Sequence, residues 1–391
     1  MTKLAKAFIW IVCFAAAAAA CAGAARAQSA FYTAPPDQIA GQPGTLIREE
    51  AMMPTRSGAA AHRVLYRSVG LHGEPIAVSG VIIVPRGPAP PGGRPIVAWA
   101  HPTTGVVPRC APSLAFFMFQ QIQGLREMSA RGFIVAATDY PGLGTPETHP
   151  YLVGDSEARA VIDSVRVARA LTGAPNRFAV WGHSQGGQAA LFTGLLVKSY
   201  APELDLAGIA AAAPATELGP LLADDINSTG GRNLAAMTLW SWSRVFNAPI
   251  DQVVDRSAIP AVDALASECI ESIGDLLLRA RTGRPLERTF LTVPNFYEIE
   301  PWRALMAANT PGALPPQVPL LLAQGGSDGL VRPQVTQDYM RRQCAAGSKV
   351  RMVFLPGVDH GLIAHDAAAT AVDWIGDRFA GATAPSDCGR S

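Results

Sequence analysis

Hydrophobic residues in this chain gather in short unbroken runs rather than alternating with polar ones. Beyond a Pro/Gly-punctuated loop at 85–94, such runs recur at 95–100, 133–138, 178–182, 207–213, 318–324 and 349–355. Runs of this length without polar alternation fit strands covered on both faces, as in a parallel sheet. Upstream, 62–69 and 76–84 flank the turn Gly70-Leu71-His72-Gly73 and predict a strand pair, whereas the mixed segment 28–60 predicts an extended arm. Between 133–138 and 178–182 the period changes. Ala158, Val161, Ile162, Val165 and Ala168 recur at three- and four-residue steps, which predicts a helix with one buried stripe. Asp155 is its expected cap, Arg159, Asp163, Arg166 and Arg169 lie off the stripe, and Thr172-Gly173-Ala174-Pro175 ends it. This rhythm predicts an α/β fold, a mostly parallel central sheet flanked by helices.

One interval breaks the rhythm. The stretch 215–316, between the fourth run and the fifth, holds helical patterns at 233–246 and 262–279 and many aromatic residues, but no central strand. It predicts an inserted helical cap over one end of the sheet, with the core formed by 28–214 and 317–391. No internal repeat is present.

Composition agrees with a large core. Of 391 residues, 49% are hydrophobic and 16% charged, which excludes a disordered chain. With no long charge run or basic patch, nucleic acid is not an expected partner. At the N-terminus Lys3 and Lys6 precede an apolar stretch at 7–23, and Ala25-Arg26-Ala27 offers small residues at a cleavage site. That pattern predicts a signal peptide at 1–27, in preference to a retained anchor or a lipoprotein site at Cys21, and hence a periplasmic or secreted protein. Cleavage removes three cations and no acid, so the formal charge falls from +1 to −2. Four cysteines then remain, and an even number in an exported chain predicts two disulfides. Spacing does not choose among the three pairings. The pairing expected is Cys344 with Cys388, both near the C-terminus, and Cys110 with Cys269. No cysteine pair has zinc-ligand spacing and the histidines are scattered, so no metal is expected.

The chemistry starts at "FAVWGHSQGGQAALF", residues 178–192, where a strand pattern meets a small-residue helix. A Gly-x-Ser-x-Gly turn at that junction sets its serine on the carboxyl edge of the sheet, the ligand edge of α/β folds, with glycines permitting a cramped crossing. Serine is a poor nucleophile near neutrality and needs a base, and the base needs a group that fixes its tautomer. Asp328 follows the run at 318–324 and His360 follows the run at 349–355, so Ser184, Asp328 and His360 stand in the order of the nucleophile-elbow hydrolases. Asp328 as a helix cap, Asp359 as the orienting acid, His365 as the base and Ser184 as a mere turn residue are the competing readings. His365 falls in an alanine-rich helix, and His183 is expected to pack behind the elbow. A developing oxyanion needs preformed donors, expected from the N–H of Gln185 and from the N–H of Thr103, or else Thr104, in "AWAHPTTG". Pro102 has no N–H to give. Tyr140 and Thr104 are candidate substrate contacts at the same edge.

"WGHSQGG", "TDYPGLG" at 138–144, "CAPS" at 110–113 and "GGSDGLV" together resemble the secretory lipase family of α/β-hydrolases, over most of the chain from Thr45 onward and least at 215–316. The resemblance implies carboxylic-ester hydrolysis, an inserted helical cap, disulfides and no cofactor, with Ser184 as nucleophile, Asp328 as acid and His360 as base. "HPTTG" departs from the fungal pattern at the oxyanion loop. A small-molecule or lipid ester is the implied substrate, with transient contact at a lipid interface. Trp240, Trp242, Phe246, Phe290, Phe296 and Tyr297 are expected chiefly to build the cap's own core. A peptidase or acyltransferase would use the same triad, with Glu217, Asp224 and Asp225 as candidate carboxylates for a free amine, and a non-catalytic binding protein would keep only the fold.

Overall fold

Each of the eight expected runs is a strand, and all join one sheet. The structure, a computed structural model, describes residues 30–224 and 226–389, so the expected signal segment lies outside the described residues. The strands are β1 (Leu46–Ala51), β2 (Ala60–Val69), β3 (Pro75–Val84), β4 (Ile96–Ala100), β5 (Ile134–Thr138), β6 (Arg177–His183), β7 (Asp205–Ala212), β8 (Leu320–Gly325) and β9 (Val350–Leu355). Their spatial order is β1-β2-β3-β5-β4-β6-β7-β8-β9. The pairs from β1 through β3 to β5 are antiparallel, and the rest of the sheet is parallel.

The lack of polar alternation follows from cover on both faces. In β4, Val97 and Trp99 face one core with Met128, Val372 and Ile375, while Ile96, Ala98 and Ala100 face another with Val161, Val165 and Leu191. Helices Leu125–Ala130 and Ile363–Phe379 thus cover one side, and Gly154–Thr172 and Gln185–Tyr200 the other. The expected extended arm contains β1, which carries no apolar stripe. It is an edge strand, where Glu49 and Glu50 bond His62 and Arg63 of β2 and remain accessible to water.

The long helix departs from its pattern in two places. It spans Gly154–Thr172 with Val153 at the N-cap, so Asp155 sits in the first turn and does not cap it. Asp163, off the apolar stripe, is nevertheless buried, because β2 and the end of the next helix close over that side. Its carboxylate accepts from Ser68 Oγ at 2.7 Å, Tyr200 OH at 2.9 Å and Arg166 Nη1 at 2.9 Å, enough donors to make the burial tolerable.

Between β7 and β8 the described residues form helices and short 3₁₀ turns, with one isolated bridge between Val254 and Leu291 and no strand of the sheet. The expected helix at 233–246 is Thr229–Val245, capped by Ser228. The pattern at 262–279 is two helices, Ile259–Ala266 and Ile273–Thr282. Cys269 lies in the break, bonded to Cys110, and Ser272 restarts the helix through a reciprocal capping box with Asp275. Trp242 stacks on Trp302 at 6.5 Å, Phe296 and Phe246 meet this pair edge-on, and Phe290 is buried nearby. Tyr297 packs over Gly219, and Trp240 lies under the Arg244 guanidinium. The second disulfide joins Cys344 and Cys388.

The two bridges close loops of different length, with sequence separations of 159 and 44. Losing either should cost about 2–5 kcal/mol, and chain entropy makes the longer loop worth about 1 kcal/mol more. Urea unfolding of Cys110→Ser/Cys269→Ser beside Cys344→Ser/Cys388→Ser measures this. Equal midpoints would show that loop entropy does not set the difference.

Candidate active site

Ser184 directly follows β6 and precedes the helix Gln185–Tyr200, with φ 56° and ψ −115°. This left-handed conformation is unfavourable for a residue with a Cβ, by roughly 1–3 kcal/mol, and persists only where its surroundings over-determine it. The glycines of the motif are the reason the crossing is possible. A Cβ on Gly182 would lie 2.1 Å from the Gly186 carbonyl oxygen, and one on Gly186 would lie 1.9 Å from that of Ala100. Strand and helix backbones therefore meet with no room for a side chain.

The loops after β8 and β9 bring the other two residues to Ser184. Ser184 Oγ is 2.9 Å from His360 Nε2, and His360 Nδ1 is 2.8 Å from Asp328 Oδ2. An ionised carboxylate only accepts, so Nδ1 carries the ring proton and Nε2 turns its lone pair to the hydroxyl. Asp328 is buried and anchored by its other oxygen, which accepts the N–H groups of Leu330 at 2.9 Å and Val331 at 2.8 Å. Those bonds close a turn, and the next helix starts later, at Pro333, with Arg332 at its N-cap. Asp359 accepts the Leu362 N–H and makes no bond to the imidazole. His365 is exposed beside Asp366. His183, expected behind the elbow, lies beside His360 with ring centroids 5.0 Å apart and lines the neighbouring cleft. Its Nε2 donates to the His360 carbonyl at 3.0 Å, and burial pushes its pKa down to about 3. It therefore stays neutral at pH 7.

The candidate oxyanion loop follows β4. Thr103 Oγ1 lies 2.9 Å from Tyr151 OH, and the Thr104 carbonyl accepts the Ile270 N–H at 2.7 Å. With the Cys110–Cys269 bond, that contact fastens the helical insertion to this loop. Thr103, Thr104, Phe117, His183, Glu271 and Gly361 line a cleft of about 340 Å³. Tyr140 is not at the cleft, contrary to expectation. Its φ of 68° turns the ring inward, where it is fully buried against His101 at 4.2 Å and donates to the His101 carbonyl at 3.2 Å. Of the carboxylates a peptidase would need, Glu217 pairs with Arg342, and Asp225 lies outside the described residues.

Beneath the elbow is a polar layer that the periodicity did not single out. Gln185 Nε2 donates to Glu157 Oε1 at 2.7 Å and to His149 Nε2 at 3.1 Å, while His149 Nδ1 donates to the Pro141 carbonyl at 2.7 Å. Burial raises the Glu157 pKa to about 8 and lowers that of His149 to about 3, so both are neutral at pH 7. The signal for Glu157 was present: it stands three and four residues before Ala160 and Val161, on the buried stripe itself. A second buried cluster explains two of the motifs. Asp139 of "TDYPGLG" accepts the Ser113 N–H at 2.8 Å and Ser79 Oγ at 2.6 Å, and Ser113 Oγ of "CAPS" bonds it as well.

A mostly parallel sheet with a strained serine turn after β6 and a helical insertion after β7 defines an α/β-hydrolase fold. The chain belongs to the secretory lipase family, whose family model matches residues 120–387. That makes it a carboxylic-ester hydrolase by class. It is 24% identical over 90% of its length, and 82% of the relative's, to a protein of Mycobacterium tuberculosis named a probable inactive lipase. With lipase A of Arthroderma benhamiae it shares 23% identity over 92% of this chain and 80% of that one. In structure it is similar to Candida antarctica lipase A, with TM-score 0.77 and 18% identity over 92% of this chain and 87% of that chain.

The raised pKa of Glu157 has a signed consequence. Between about pH 4.5 and about 8 the unfolded chain has lost this proton while the folded chain keeps it, so this group's contribution to stability falls as pH rises across that window. Glu157→Gln cannot titrate. The melting-temperature advantage of wild type over Glu157→Gln should therefore shrink from pH 4.5 to pH 8, as read by circular dichroism. A constant gap would show that Glu157 is not buried neutral.

Proposed function

We propose that this chain is an exported serine esterase or lipase that works through an acyl-enzyme on Ser184. The reading rests on the continuous hydrogen-bonded line from Ser184 through His360 to Asp328, with distances of 2.9 Å and 2.8 Å. His360 Nε2 takes the hydroxyl proton as Ser184 Oγ bonds to the ester carbonyl carbon. The N–H groups of Gln185 and Thr103 receive the oxyanion that forms. As the C–O bond to the leaving alcohol breaks, His360 returns its proton to that oxygen. Water then repeats both steps on the acyl-enzyme, releasing the acid and restoring Ser184. Asp328 stays ionised throughout and holds the imidazole in its working tautomer.

The insertion at 215–316 serves in this reading as a cap over the carboxyl edge, supported by its disulfide and its Ile270 bond to the oxyanion loop. Export is supported by the two disulfides, which need an oxidising compartment, and by the leader-like segment 1–27.

The test is a panel of nitrophenyl esters from acetate to palmitate beside aminoacyl nitroanilides. Wild type should hydrolyse esters and leave the anilides. Ser184→Ala should lose at least about 10³-fold in kcat, and Asp328→Asn about 10³- to 10⁴-fold, because an amide can favour the wrong imidazole tautomer. Anilide turnover exceeding ester turnover would move the chain to the peptidases, and an active Ser184→Ala would remove the serine mechanism. Expression in a Gram-negative host should yield a protein whose N-terminus is Gln28. An intact Met1 would refute cleavage.

A further inference from the structure

Two donors proposed for one oxyanion come from different parts of the fold, and something must hold them at a fixed separation. Gln185 starts the helix after β6, while Thr103 lies in the loop after β4. The buried layer beneath them joins the two. Glu157 Oε1 accepts Gln185 Nε2 at 2.7 Å and the Leu152 N–H at 2.9 Å. Leu152 ends a short bracket at 149–152. On one side of it, His149 Nε2 accepts the second Gln185 amide proton at 3.1 Å. On the other, Tyr151 OH meets Thr103 Oγ1 at 2.9 Å. Both amide protons of Gln185 are thus spent on buried acceptors, which fixes its side chain and the peptide it belongs to.

The bracket also reaches the insertion. Ser241 Oγ donates to the His149 carbonyl at 2.6 Å and receives the Tyr151 N–H at 3.1 Å, and Trp242 Nε1 donates to the Tyr151 carbonyl at 2.8 Å. Backbone conformation marks the same place. Of the five non-glycine residues with positive φ among the described residues, Ser184 adjoins Gln185, Leu152 bonds Glu157 directly, and Tyr140 stacks on His149. Strained residues of this kind persist where surrounding bonds hold them.

We propose that Glu157 is the positioning residue of the oxyanion site, holding Gln185 directly and Thr103 through the Leu152–Tyr151 bracket, and coupling both to the Ser241–Trp242 face of the insertion. This rests on the serine mechanism proposed above. Glu157 touches neither substrate nor the reacting atoms and acts only through the residues it holds. Its work is hydrogen-bond acceptance by a neutral carboxyl, which a glutamine oxygen reproduces and a leucine does not.

The test uses the full-length exported protein with active sites counted by a nitrophenyl alkylphosphonate, so that misfolded protein does not enter kcat. Glu157→Leu should lower kcat on nitrophenyl butyrate about 10- to 100-fold with KM within about threefold, the signature of a contact needed only in the transition state. Glu157→Gln should recover most of that loss. Tyr151→Phe, which removes one hydroxyl and serves if Glu157→Leu does not fold, should lower kcat about 3- to 10-fold at unchanged KM. Wild-type kcat per titrated site in Glu157→Leu, or in Tyr151→Phe if the leucine variant does not fold, would overturn the proposal. So would a Glu157→Gln variant no better than Glu157→Leu. Ester turnover surviving in Ser184→Ala would instead refute the serine mechanism, and the two failures are read on different variants.

Discussion

Ser184 faces His360 because the backbone around it is forced through a crossing that admits no side chains. Helix and strand touch at Gly182, Gly186 and the Ala100 carbonyl, and a methyl group at either glycine would overlap backbone. The serine between them takes a left-handed conformation and projects its hydroxyl above the sheet. The features at this edge depend on that crossing. The imidazole meets the hydroxyl that the crossing presents to it, and the helix starts at the next residue, Gln185. The elbow is therefore a steric constraint first and a chemical one second.

Around the elbow the structure separates two kinds of polar residue. Asp328 and His360 form a line that ends at Ser184, the acid anchored by the backbone of its own turn. Glu157, His149 and Asp139 are buried and each is bonded to neighbours, although Glu157 Oε2 has no hydrogen-bond partner. Burial raises the pKa of both acids and lowers that of His149, because it disfavours the charged form of each. The bonds that Glu157 and His149 make to Gln185 hold that side chain in one place.

Two of the sequence motifs acquire a different meaning once folded. "CAPS" and "TDYPGLG" mark the family, yet neither supplies a residue of the Ser184–His360–Asp328 line. Ser113 and Asp139 bond each other, Cys110 fastens the insertion, and Tyr140 lies buried under His101. They build the floor and one wall near the cleft. A polar residue beside a catalytic edge can belong to the scaffold, and the distinction depends on which way its side chain turns. Tyr140 was expected at the cleft because it follows β5, and its positive φ points it the other way.

The sequence by itself determined the eight strands, the α/β class, the helical character of 215–316 and the chain order of Ser184, Asp328 and His360. Those features are local: an apolar run, a helical period or a glycine pair acts through neighbours a few residues away. Tertiary structure decided what depends on distant neighbours. It placed β1 at an edge where no apolar stripe is required, and it split 262–279 where Cys269 reaches Cys110. It also buried Asp163 off the apolar stripe and turned Tyr140 away from the cleft. The layer joining Glu157 to Gln185 and His149 arose the same way, since hydrogen bonds between residues 28 and 36 positions apart leave no period in the chain. Spacing along a polymer reports which face a residue occupies, and only the folded path decides what that face meets.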